Sequence, residues 1–422
     1  MLHLWAKDLF PICRSITGPG VRETLQYIQK ILPELKIHSV PSGTPAFDWI
    51  VPDEWTIHDA FIEDESGQRI IDFKKHNLHI LGYSEPVDKW LTLEELDLHL
   101  YSLPDQPNAI PYVTSYYERR WGFSLTHNQR KTLKPGRYHA VVNSDLKPGV
   151  LNYGELILPG ETKQEVLLST YICHPSMANN ELSGPVVTMA LAQWLSSLNS
   201  HRYTYRIIFI PETIGSIVYL SRNLDILKQR VIAGFNISCV GDEHCYSYLP
   251  SRDGNTLSDK SALHVLKHID PEFKCYTWLD RGSDERQYCA PGVDLPIASI
   301  MRSKYGKYPE YHTSLDDLSL VTPSGLKGGY SALRKTLDVI EKNIFPKSTV
   351  LSEPQLGKRG LYPTLSSKNM SQSVNTMMNL ISYCDGNTSL LEIGELINEP
   401  FWELVPIVEK LVETGVLSVE LK

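Results

Sequence analysis

Two histidines and a few carboxylates stand where apolar runs of this sequence come to an end. His174 closes the run Val166 to Cys173, Glu212 follows YRIIFIP, and Asp242 follows VIAGFNISCVG. His312, with Asp316 and Asp317, lies in PEYHTSLDD after LPIASIM. Imidazole and carboxylate together form the donor set of zinc or a similar divalent ion. Taken singly, each residue has an ordinary role as a hydrogen-bonded strand-end histidine, a surface acid or a helix cap. Convergence is what would turn them into a site. If the strands are parallel, their C-terminal ends share one edge of a sheet, and both imidazoles and several acids meet there.

The elements that must position them centre on Glu165 to Leu195, EVLLSTYICHPSMANNELSGPVVTMALAQWL. A β-type run breaks at His174-Pro175, a polar loop of small residues follows from Ser176 to Gly184, and a helical pattern closes the stretch. In that pattern Val187, Leu191, Trp194 and Leu195 fall on one face. From about 156 to 345, apolar strands alternate with helices, which predicts a mostly parallel sheet covered on both faces. Two amphipathic helices occupy residues 1–45 and are expected to pack on the same α/β domain. Residues 46–155 change texture to short strands between Gly, Pro, Asn and Asp, as an inserted small β-rich domain would. Residues 346–370 have the composition of a linker. Three short amphipathic segments and a final strand in 371–422 then suggest a winged-helix-like domain.

Composition narrows the function classes. The 422 residues are 42% hydrophobic and 21% charged with a net charge of −8, an ordinary soluble profile. Nothing in it suggests electrostatic binding of nucleic acid or a polybasic membrane surface. The C-terminal unit carries Glu392, Glu395, Glu399, Glu403, Glu409 and Glu413, so protein–protein packing is favoured there over DNA, and self-association is left open. No apolar run reaches the length of a membrane span. Seven scattered cysteines without a CxxC pair and without a secretory leader fit a reducing cytoplasm.

The motifs, in order, are ICHPSMANNELSGP, FIPETIGS, RGSDERQY and RSKYGKYPEYHTSLDDL. Their order resembles the zinc aminopeptidase and glutamate-carboxypeptidase superfamily. More closely they look like a bacterial family of aminopeptidase-like proteins with an inserted β-rich domain and a C-terminal winged helix, often labelled polysaccharide-biosynthesis proteins. The resemblance implies that His174 and His312 match the first and last metal-binding histidines, and that Glu212 matches the general base. Asn180 falls where active aminopeptidases place a metal-bridging Asp, Thr213 replaces a second metal-binding Glu, and Ser238 stands near a further expected Asp. Glu181 and Asp242 are then the acids left to complete a metal set with the two histidines. One zinc ion is expected, with two as the alternative. Asp316 or Asp317 can orient His312. Asn180, Arg281, Asp284 and Tyr311 are candidates for substrate contact. Arg281 or Arg286 can clamp a carboxylate or phosphate, and the aromatic segment YVTSYYERRWGF can form a stacking wall or simply pack a core.

The function expected from this is a zinc-dependent hydrolase cleaving an amide or peptide bond in a small peptide-like or amino-acyl substrate. A degenerate binding or scaffold protein, and an amidase acting on an aminosugar, are the alternatives. Glu212 also has the bland reading of an acid at a helix N-terminus.

Overall fold

Strand Glu165–Tyr171 is buried at every position, so it can only be an inner strand covered on both faces. It lies in an eight-stranded sheet. The order is Lys36–Pro41, Val150–Leu158, Thr204–Ile210, Glu165–Tyr171, Val231–Asn236, Ile297–Met301, Ser247–Leu249 and Lys274–Cys275. Glu165–Tyr171 runs parallel to both neighbours, and Val231–Asn236 runs parallel to Ile297–Met301. Strands nearer the edges, such as Val150–Leu158, pair antiparallel. The computed structural model that shows this describes residues 1–361 and 368–420; residues 362–367 of the expected linker lie outside the described residues. It confirms a mixed α/β fold with a mostly parallel central sheet.

The chain divides into two compact units, residues 1–256 with 274–331, and residues 257–273 with 332–422. Within the first, the segment between Lys36–Pro41 and Val150–Leu158 folds a four-stranded antiparallel sheet from Arg69–Asp72, Glu54–Asp64, Arg137–Lys147 and Val87–Thr92. Trp55, Ile62, Tyr83, Tyr138 and Val142 are buried within its apolar core. Helices Ser183–Ser196 and Ile214–Arg230 follow the central strands whose ends carry His174 and Glu212.

The second unit is built on its own core of Leu380, Leu390, Phe401, Leu404 and Leu411. Ser389 starts helix Leu390–Ile397 by accepting the Glu392 N–H, while the Glu392 carboxylate accepts the Ser389 N–H at 3.0 Å. Asn398, in the left-handed conformation at φ 54, ends the helix. Strand Leu417–Glu420 pairs antiparallel with Phe345–Ser348 to form the wing. Among the described residues, no helix is long and apolar enough to cross a membrane.

One charge in the first unit is buried at the heart of the sheet. Glu165 is 1% exposed, and both its oxygens accept from Arg206 on the neighbouring strand, at 2.5 and 3.0 Å. Arg206 also donates to Glu155 and to the Tyr219 hydroxyl. Removing one member of such a pair strands the other in a dry interior. Glu165→Ala is therefore expected to lower unfolding stability by about 3–5 kcal/mol, measured as a shift in the urea midpoint at unchanged slope; a shift within error would contradict this account.

Candidate functional site

The ends of the central strands arrive at one sheet edge, and the backbone there is held in unusual conformations. Ser176, Thr213, Cys239 and His312 all have positive φ, at 45, 63, 53 and 57°. For residues with a Cβ such conformations persist only where the surroundings enforce them, and they cluster at functional sites.

His174 is the most heavily braced side chain. Its Nδ1 lies 2.9 Å from Glu181 Oε2, which leaves Nε2 facing Glu212, 3.5 Å from Oε2. Arg14, in the loop after helix Leu2–Leu9, stands behind Glu181 with its Nε 3.4 Å from Oε1. The same Nε donates to the His174 carbonyl at 3.0 Å, and Nη1 donates to the Leu9 carbonyl at 2.7 Å. Arg14 and Glu181 side chains are fully buried. Charge therefore alternates along Arg14, Glu181, His174 and Glu212. Burial works against a charged His174 ring, but Cys173 and Glu181 favour it strongly enough to raise its pKa well above the usual histidine value. Burial also pushes the Cys173 thiol up to about 11.

Glu212 follows strand Thr204–Ile210, immediately before helix Ile214–Arg230. Its N–H donates to Cys173 Sγ at 3.2 Å, and its Oε1 accepts the Ser283 hydroxyl at 2.7 Å. Burial raises its pKa above the ordinary carboxylate range, partly opposed by His174. The neighbouring Asp284 is wholly buried and accepts the Thr213 N–H at 2.7 Å and the Ser216 hydroxyl at 2.8 Å. Burial, then the nearby Glu212, push it up to about 8. Arg286, from the same RGSDERQY motif, donates to Thr213 Oγ1 at 2.7 Å.

The small-residue loop after His174 is a single π-type turn, Ala178–Leu182, rather than irregular coil, and it leads directly into helix Ser183–Ser196. Such turns recur at functional sites. Asp316 caps it: its oxygens accept the Asn179 and Asn180 N–H groups at 2.6 and 2.9 Å and the Tyr308 hydroxyl at 2.9 Å. The turn also presses on the sheet, since a Cβ at Gly184 would lie 2.4 Å from the Ile237 carbonyl oxygen and 2.5 Å from Thr170 Oγ1. Asn180 Nδ2 donates to the Tyr171 hydroxyl at 2.7 Å, while its Oδ1 is buried without a hydrogen-bond partner.

His312 joins from the loop after strand Ile297–Met301. Tyr112 holds it: the Tyr112 N–H donates to the His312 carbonyl at 2.8 Å, and its ring lies against both imidazoles, at 5.3 Å from His174 and 5.2 Å from His312. The two imidazole centroids are 5.6 Å apart. Burial, with His174 adding, lowers the His312 pKa to about 3, so its ring is neutral and has a lone pair to give. His174, Glu212 and His312 line one cavity of about 300 Å³ with Tyr112, Tyr116, Tyr117, Trp49 and Arg286.

The other expected site residues are placed as follows. Glu181 spends its oxygens on His174 Nδ1 and Arg14, so it orients the imidazole. Asp242 is buried among donors from Asn179, Ser303 and the His244 N–H. Asp284 is 0% exposed beneath Thr213, out of a substrate's reach. Arg281 lies over Trp278 and does not line the cavity, where Arg286 does. Tyr311 stacks on His312 at 3.9 Å. Neither Asp316 nor Asp317 orients His312; Asp317 accepts from Ser319. Among the described residues, the metal-ligand types brought within 4.8 Å of one another are Cys173, His174 and Glu181, and separately His264, His268 and Glu395. In the second group both His264 nitrogens are committed, to Glu395 and to the Phe401 N–H.

The donor types gathered at this edge, imidazole and carboxylate, are those a zinc ion takes. His174 Nε2 and Glu212 Oε2 are spaced like two groups around a single tetrahedral ion. His312 offers a neutral imidazole to the same cavity, whereas Asn180, whose Oδ1 is buried without a hydrogen-bond partner, does not line it. At the three positions where the resemblance places further acids, the chain has Asn180, Thr213 and Ser238. Arg14, Ser283 and Trp49 escaped the sequence reading. Only a buried arginine signals itself, and burial is not written in ICRSITGPG.

The fold has relatives. Among solved structures, a Clostridium acetobutylicum protein named as a peptidase aligns with TM-score 0.94 at 41% identity, covering 99% of this chain and 96% of that one. A zinc aminopeptidase from Bacillus subtilis aligns with TM-score 0.58 at 11% identity over 80% of this chain and 92% of its own, which shows the shared fold alone. A Clostridium acetobutylicum protein named for polysaccharide biosynthesis and an aminopeptidase-like domain is 44% identical over 390 residues, 92% of this chain and 89% of that protein. Residues 344–419 match a winged helix-turn-helix family. Residues 3–343 match the family described as a domain of unknown function, DUF4910, and the chain belongs to that aminopeptidase-like family.

Proposed function

We propose that the protein is a zinc-dependent amide hydrolase of the aminopeptidase-like type, acting on a small peptide-like or amino-acyl substrate. Its main support is one juxtaposition: His174 Nε2, Glu212 and His312 face a single cavity of about 300 Å³, large enough for a substrate of amino-acid size. His174 and His312 would hold the ion. Zinc bound there would polarise the scissile carbonyl and acidify a water molecule.

The chain's own groups supply the rest. Glu212, with Oε1 fixed by Ser283, takes a proton from the attacking water and delivers it to the leaving nitrogen. Glu181 fixes His174 in the tautomer that turns Nε2 to the cavity, and Arg14 balances the Glu181 charge. Tyr112 and Tyr116, whose hydroxyls are 2.5 Å apart, wall the cavity and limit water. The Clostridium relative's name suggests a second reading, an N-acylated aminosugar as substrate. The aromatic wall favours it, because tyrosine and tryptophan faces stack on sugar rings. Seven unpaired thiols suit a reducing cytoplasm.

Purified protein is expected to hold about one equivalent of zinc by elemental analysis, and His174→Ala or His312→Ala to release it. Protein from zinc-supplemented growth that contains no stoichiometric metal would overturn the enzyme and leave a scaffold. Glu212→Gln is expected to keep the metal and lose about 10²–10⁴-fold in kcat. Burial holds the Glu212 pKa above the ordinary range, so activity falls as pH drops through that raised value. The acid limb of the rate profile should therefore lie above about 4.3, the value of free glutamate. Glu181→Gln is expected to weaken zinc binding about 10–100-fold in a chelator competition; unchanged affinity would remove Glu181 from the orienting role.

A further inference from the structure

We infer that the cavity selects an amide substrate by an anionic group held at Arg286, and does not select a free ammonium. The inference rests on the hydrolase reading above and names the substrate class of that same site.

The charges lining the cavity carry the first half. Among the described residues Glu212 is the only carboxylate lining the cavity, and it is already engaged by His174 and by the Ser283 hydroxyl. Thr213, beside Glu212 in the lining, is neutral. An ammonium entering here would find no unengaged anion to replace its lost water. A carboxylate would find Arg286, which makes no ion pair with any carboxylate among the described residues.

The second half is how deliberately that guanidinium is placed. Thr213 is β-branched yet sits at φ 63, a conformation such residues adopt only under constraint. Two residues of one motif impose it. Buried Asp284 holds the Thr213 N–H at 2.7 Å, and Arg286 holds the Thr213 hydroxyl at 2.7 Å. One Nη2 bond is thus spent on positioning, and the remaining guanidinium N–H groups are free to grip a carboxylate in the two-point manner arginine favours. Opposite stand Trp49 and Tyr117, partly exposed and edge-to-face at 5.4 Å, which offer an apolar ledge for a ring or aliphatic group. Together they describe an N-acyl amino acid or a similar small amide with an apolar side chain and a carboxylate.

The test compares two probes of opposite charge that share a phenyl ring and an amide, N-acetylphenylalanine and phenylalaninamide. Binding to the full-length protein is measured by calorimetry. N-acetylphenylalanine is expected to bind about tenfold or more tightly than phenylalaninamide, as one charge-assisted two-point contact would give. Arg286→Gln should abolish that preference, and Arg281→Gln, outside the cavity, should keep it. Equal or tighter binding of phenylalaninamide, no effect of Arg286→Gln, or no binding of either probe at millimolar concentration would overturn the inference. Turnover of the same pair separates the two claims. A kept preference without hydrolysis of any amide leaves anion recognition standing and sinks the hydrolase, whereas hydrolysis with the opposite preference sinks the recognition alone.

Discussion

The Glu181 carboxyl group has no exposure to water, and much of the site is arranged to make its burial tolerable. A buried carboxylate is expensive unless paired and hydrogen-bonded on both oxygens. Here His174 hydrogen-bonds one oxygen, and Arg14 faces the other as an ion pair at 3.4 Å without a hydrogen bond. The arrangement fixes three separate parts of the chain to one another: the loop after the first helix, the end of a central strand, and the turn that starts helix Ser183–Ser196. It also decides which nitrogen of His174 faces the cavity. A neutral residue at 181 would leave Arg14 buried without its anion and the imidazole free to turn.

The second constraint is the locking of loops to each other rather than to the sheet. Asp316, four residues beyond His312, caps the turn carrying Asn179 and Asn180. Tyr112, from the segment between the first two strands of the large sheet, pairs its backbone with His312 and sets its ring beside both imidazoles. Asp284 and Arg286 fix Thr213 in a strained conformation beside Glu212. Each cavity residue is therefore held from at least one element other than its own. Rigid mutual bracing of this kind is what a site needs if its groups are to keep their places when a ligand enters.

The cavity's chemistry differs from that of a two-metal exopeptidase in its charge. Where such an enzyme gathers acids, this chain has an amide at 180 and hydroxyls at 213 and 238. Positive character is kept through Arg286, while negative character is reduced to Glu212. Similarity of fold to a zinc aminopeptidase at 11% identity does not carry that enzyme's substrate with it. The aromatic segment at 112–117, open in the sequence between a core and a wall, is both. Tyr112 and Tyr116 are packed against the histidine side, while Tyr117 stands half exposed at the mouth.

The sequence by itself determined the parallel core, because buried parallel strands must be continuously apolar and VLLSTYIC, YRIIFIP and LPIASIM have no other use for that pattern. It determined that His174, Glu212 and His312 follow such strands, since polar residues after an apolar run are local facts. The winged-helix-like end was legible for the same reason, in three short helical periods and a final strand. What each acid does was decided only in three dimensions. Glu181 turns toward Arg14, a residue 167 positions earlier in the chain. Asp242 turns to Asn179 and Ser303, and Asp284 lies under Thr213. A carboxylate's role depends on which distant donors reach it first and on how dry its surroundings are, and neither quantity exists until the chain has folded.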